Sequence, residues 1–83
     1  MNTPTYTPTY DRWSHGGWYT NTTTPSGASG CVSRNYPDKQ WRIVCDVRSG
    51  DHTYPSRDAA ARAEHHLYTD PSYVALSNAR YGR

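Results

Sequence analysis

Residues 30–46 fold on paper into one hairpin, because Cys31 then faces Cys45, Val32 faces Val44 and Asn35 faces Trp41 across the turn Tyr36-Pro37-Asp38-Lys39-Gln40. Strands joined by so short a turn are antiparallel neighbours, and the turn fixes their register. Downstream, Tyr54-Pro55-Ser56-Arg57-Asp58 runs into Ala59-Ala60-Ala61-Arg62-Ala63-Glu64, a short edge strand handing over to a capped helix. Ser56 can accept a hydrogen bond from an orphan amide of the first turn, and Asp58 suits the positive end of the helix dipole. The fold class is therefore α+β: a small antiparallel sheet of three or four strands packed against one main helix, with a short C-terminal helix.

The remaining elements follow from local composition. Trp18-Tyr19-Thr20-Asn21-Thr22-Thr23 is aromatic and β-branched, which predicts a first strand over residues 17–23. The hairpin supplies strands at residues 31–35 and 41–47, and residues 52–54 return as a short strand before Pro55 stops the ladder. The helix is expected over residues 57–68, with Ala60, Ala63 and Leu67 making one apolar stripe. Asp70-Pro71 can cap and start a second helix over residues 72–80, with Tyr73 and Leu76 inward and Tyr81-Gly82-Arg83 fraying. At the other end Thr3-Pro4-Thr5-Tyr6 is repeated at once as Thr7-Pro8-Thr9-Tyr10. Each proline restricts its neighbour to extended conformations, so residues 1–12 read as a flexible Thr/Pro/Tyr-rich arm, or as one that docks its tyrosines on this domain or on a partner. Residues 13–80 form the single domain.

Alternation along the hairpin puts Cys31, Ser33 and Asn35 on one face with Trp41, Ile43 and Cys45, and Val32, Arg34, Arg42 and Val44 on the other. The first set is expected as core, packed on the alanine stripe. The second sets two arginines side by side, and like charges directly opposite destabilise a ladder. Unless Asp38, Asp46 or Asp51 intervenes, Arg34 and Arg42 address an external anion or partner; the plainer reading is a solvated basic face.

Composition narrows the function. Hydrophobic residues are 34% of 83, with no Phe, three Trp and eight Tyr, so the core is small and part of the aromatic surface is exposed. A net charge of +2 excludes a polyanionic mimic of nucleic acid and gives no strong basic field. Eight of the nine basic residues are Arg and only Lys39 is Lys, a bias toward planar, bidentate recognition. There is no leader-like segment and no apolar run of roughly 20 residues, so the expectation is a soluble, cytoplasmic protein with reduced thiols. Buried thiols are favoured over a Cys31–Cys45 disulfide or a metal site with His52 or His65, because no spacing presents four convergent ligands. His65 and His66 are consecutive on the helix and point about 100° apart. Glu64 is the only Glu, the Asp residues fall in turns and caps, and Gly27 and Gly30 lack a phosphate-loop context. No catalytic, cofactor or metal site is indicated, and the chain reads as a non-enzyme.

The turn has more promise. It projects an aromatic ring, both charge signs and an amide from a rigid hairpin, so Arg34, Tyr36, Asp38, Lys39 and Arg42 are the expected partner-binding surface, with Trp18 and Tyr19 as aromatic neighbours. An exposed strand edge suits a two-fold dimer.

Together, Gly30-Cys31-Val32-Ser33-Arg34-Asn35-Tyr36-Pro37-Asp38, Trp41-Arg42-Ile43-Val44-Cys45-Asp46 and Ser56-Arg57-Asp58-Ala59-Ala60-Ala61-Arg62-Ala63-Glu64 resemble the very small accessory proteins of phages and plasmids, among them the anti-CRISPR inhibitors. The resemblance is one of size, layout and absent catalytic groups over roughly residues 17–68. It implies an inhibitor in the host bacterial cytoplasm that binds a CRISPR surveillance complex and blocks target DNA recruitment or cleavage, through a mixed Arg, Tyr and Asp interface rather than charge mimicry. The order of strands and then a helix is also similar to the arm-type DNA-binding domains of tyrosine recombinases, which implies a sheet set in the major groove with Arg34 and Arg42 as readers.

Overall fold

The computed structural model describes residues 6–81. Four strands, β1 (Tyr10–Trp13), β2 (Gly17–Thr23), β3 (Ser29–Ser33) and β4 (Arg42–Ile43), form one antiparallel sheet in the order β1-β2-β3-β4. Two helices follow, α1 (Arg57–Leu67) and α2 (Pro71–Tyr81). This is the small α+β fold that the hairpin and the capped helix predict.

Helix α1 starts where its cap dictates: the Ser56 hydroxyl accepts from the Ala59 amide at 3.0 Å. It packs on one face of the sheet, where Val32, Ile43 and Ala60 make the buried cluster and Tyr10, Trp18, Trp41, Tyr54, Ala63 and Leu67 close around it. Arg57 stretches its guanidinium over the rings of Tyr10 and Trp18, sealing one end of this layer. The stripe of Ala60, Ala63 and Leu67 does face the sheet, but the most buried positions of α1 are Ala60, Ala61 and Glu64. In α2 the Asp70 carboxylate accepts from the Ser72 amide at 2.9 Å, and Tyr73 and Ser77 turn inward. Leu76, expected inside, is 51% exposed. The inner pair is spaced i, i+4, which brings the small Ser77 rather than Leu76 against the layer below.

The hairpin pairs one residue away from its expected register. Val32 is opposite Ile43 and Ser33 opposite Arg42, so Val32, expected outside, is fully buried with Ile43, while Cys45, expected inside, is exposed. The slip originates in the connection. Ser33 Oγ accepts from the Asn35 amide at 3.0 Å, and Tyr36 donates to the Arg34 carbonyl at 2.8 Å, which ends β3 at Ser33 instead of residue 35. Trp41 pairs with Tyr54 in a lone bridge, all that forms of the expected strand at residues 52–54. Beyond Ile43 the Asp46 carboxylate takes the Arg48 amide and guanidinium, which stops β4 well short of residue 47.

Two strand features were not anticipated. Tyr10 to Trp13 form an edge strand where the arm was expected to reach residue 12, and the described part of the arm takes the docked alternative, held from Tyr6 onward. Asn21 accepts from the Tyr6 hydroxyl at 2.6 Å and the Thr9 amide at 3.2 Å, and donates to the Thr7 carbonyl at 3.0 Å. Arg62 donates to the Tyr6 carbonyl at 2.7 Å, and the Tyr6 ring lies on His65 with centroids 3.9 Å apart. The first five residues of the arm, and Gly82 and Arg83 of the tail expected to fray, lie outside the described residues. The second feature is a bulge: Tyr19 pairs with Cys31 but Thr23 with Ser29, so Thr20, Asn21 and Thr22 together oppose Gly30.

Candidate functional site

The bulge buries Thr20 and Thr22; Glu64 of α1 meets Thr20, while the Thr22 hydroxyl bonds to the Tyr6 hydroxyl at 3.0 Å. The Glu64 side chain is wholly buried, with Oε1 accepting from Thr20 Oγ1 at 3.1 Å and Oε2 from the Cys31 amide at 3.1 Å. Burial pushes its pKa up to about 7, against the lowering effect of those two bonds. The carboxyl group is closed off from solvent and both its oxygens have partners, so it ties α1 to β2 and β3.

The open site lies at the other end of the sheet. A cleft of about 500 Å³ is lined by Gly16, Arg34, Asn35 and Lys39. Its walls are fixed by the turns around it: Ser33 Oγ donates to the Gly16 carbonyl at 3.1 Å, and the Asn35 amide group donates to the His15 carbonyl at 3.2 Å. These bonds tie the loop after β3 to the β1–β2 turn. Arg34 lies over the Trp41 ring at 5.8 Å, and neither Arg34 nor Lys39 forms an ion pair among the described residues.

Lys39 has a backbone φ of +58°, the only positive φ of a non-glycine among the described residues. This left-handed conformation costs an L-residue roughly 1–2 kcal/mol. It is held by its surroundings. Lys39 donates its amide to the Tyr36 carbonyl at 3.0 Å, and the next amide, that of Gln40, donates to Asp38 at 3.1 Å.

Arg42 is met by two of the carboxylates, Asp38 and Asp51, whose intervention the sequence left open. It holds Asp38 with two bonds of 2.7 Å and Asp51 with bonds of 2.8 and 3.0 Å, and its guanidinium covers the Tyr36 ring at 4.8 Å. The bonds from Arg42 hold both Asp38 and Asp51 below the usual carboxylate range. Of the seven residues expected at the partner surface, Arg34 and Lys39 therefore share the cleft, while Asp38, Arg42 and Tyr36 form the internal clamp that shapes its turn. Trp18 lies on the α1 side of the sheet, half-buried against the core, and Tyr19 emerges on the opposite face at 39% exposure. Sequence reasoning missed Gly16, Asn35, Trp13 and His15. Gly16 and His15 lie in the short turn Ser14-His15-Gly16-Gly17 between Trp13 and Trp18, which carries no chemical motif, and Asn35 was expected inside a strand.

No family model matches this chain, and no curated protein and no solved structure matches it either.

Proposed function

We propose that this protein is a non-enzymatic, protein-binding inhibitor of the anti-CRISPR kind, which engages a subunit of a CRISPR surveillance complex through the cleft of Arg34 and Lys39 and so blocks target DNA recruitment or cleavage. The observation that carries the binding role is Lys39. The chain's one lysine occupies a backbone conformation that glycine would adopt without steric cost, beside a second cation, Arg34, that has no carboxylate partner among the described residues. A side chain kept at a strained position is kept for what it touches. The nature of the partner rests on the resemblance in size and layout. Catalysis receives no support from Glu64, whose carboxyl group no substrate can reach. The reading as a DNA-binding sheet loses one of its two arginines, because Arg42 is saturated by Asp38 and Asp51.

The test is a pull-down of the tagged chain from bacterial lysate with and without nuclease, with a duplex-DNA gel shift at two salt concentrations. A nuclease-resistant effector subunit, lost with Arg34→Ala/Lys39→Ala, is the expected result. Salt-sensitive binding to DNA without any protein partner would overturn it.

A further inference from the structure

Helix α1 covers one face of the sheet; the other face, over β1 and β2, has no helix on it among the described residues. The register puts Asp11 opposite Tyr19 and Trp13 opposite Gly17, so Asp11, Trp13 and Tyr19 all project from that bare face. Bare faces of antiparallel sheets are ordinarily polar. Here the Trp13 ring lies 6.1 Å from Tyr19 and 4.9 Å from His15. Gly17 makes room for it, since a Cβ there would come within 2.9 Å of the indole. The three rings form a ledge as long as about three extended residues. One end of the ledge runs through Gly16, next to His15, into the cleft of Arg34 and Lys39; at the other end the Asp11 carboxylate stands exposed beside Tyr19.

We infer that this ledge is a docking surface for an extended peptide segment of a partner protein, with an acidic side chain in the Arg34/Lys39 cleft, a ring-bearing or prolyl residue on Trp13, and a basic side chain at Asp11. The inference rests on the protein-binding role of that cleft. Charge layout selects the occupant. A single nucleic-acid strand would use the rings and the two cations equally well, but its next phosphates would run against Asp11. The ledge is positive at one end and negative at the other, which matches a dipolar segment and repels a polyanion.

The test is titration of the full chain, by calorimetry or amide NMR, with three probes. The first is a pentapeptide with two glutamates at one end, Tyr-Pro in the middle and arginine at the other end; the second replaces that arginine by glutamate; the third is an oligothymidylate of matching length. The dipolar peptide should bind about fivefold tighter than its all-acidic counterpart, the effect of one exposed ion pair. Asp11→Lys should reverse that order and admit the oligothymidylate, and Tyr19→Ala should weaken both peptides. Tighter binding of oligothymidylate to the unaltered chain overturns the inference. If neither peptide binds while Arg34→Ala/Lys39→Ala still abolishes capture of the protein partner, the ledge is wrong and the cleft stands. If that double variant retains the partner, both readings fall.

Discussion

Gly30 lies directly beneath the carboxyl group of Glu64: a methyl group at position 30 would come within 2.2 Å of Oε1 and 2.6 Å of Thr20 Oγ1. The glycine is therefore a seat for the one buried carboxyl of α1, opposite a three-residue bulge that turns Thr20 toward it. Gly30→Ala should destabilise the fold by about 1–3 kcal/mol, the usual effect of overpacking, as read by urea denaturation. The loss should shrink in a Glu64→Ala background, since the two changes relieve one contact. Additive losses would refute the pairing.

Glu64 also makes stability depend on pH in the opposite sense to most carboxylates. Its folded-state value, raised to about 7 from the ordinary 4.5, means that the unfolded chain gives up this proton first. The contribution is fully present below about 4.5 and is lost as pH rises through about 7, on the order of 3 kcal/mol in all. Glu64→Gln keeps both hydrogen bonds, with the amide donating to Thr20 and its carbonyl accepting from Cys31. Relative to the parent, the variant should gain stability steadily between about pH 5 and 8; a constant difference over that range would show that Glu64 does not titrate there.

Lys39→Gly should leave the fold as stable as before or up to about 1 kcal/mol more so, because glycine relieves the left-handed strain but loses more entropy on folding. Partner capture should weaken at the same time. A destabilised variant would mean that the lysine side chain serves the turn rather than a partner.

Arg42→Ala should loosen the turn without removing a partner contact. The Gln40 amide, held by Asp38, and the Lys39 amide, held by the Tyr36 carbonyl of the same turn, should exchange with solvent faster, while amides of β2 and β3 keep their protection. Hydrogen exchange by NMR reads both sets.

Cys31 and Cys45 should separate cleanly on alkylation. Burial pushes the Cys31 thiol up to about 11, whereas Cys45 is exposed. Iodoacetamide at about pH 8 should give one fast adduct, at Cys45, since the thiolate is the reactive form. Equal rates at the two sites would contradict the burial.

Much of this architecture was legible in the chain. The capped start of α1, the bounds of β2 and the proline-started α2 rest on local signals that tertiary contacts left unopposed. The hairpin register was not legible, because a one-residue difference hangs on where Ser33 and Asn35 divert backbone hydrogen bonds, and alternation of Cys31, Val32 and Ser33 fits either phase. Arg34 and Lys39 were recognisable as candidates by charge and turn position. Arg42 could not be told apart from them, since only the fold brings Asp51 to the far side of its guanidinium. Nor did anything around Glu64 announce that the lone Glu faces inward, as its place depends on a bulge in β2, more than 40 residues earlier in the chain.

The sheet's outer margins have a further consequence. One is the four-residue β1, with Asp11 and Arg12 in its middle and Pro8, which has no amide hydrogen, just before it; the other is the two-residue β4. Neither offers a long, flat row of free amides and carbonyls on which another strand could lie. Such a sheet resists edge-to-edge strand addition, the step by which a chain joins a growing cross-β ladder.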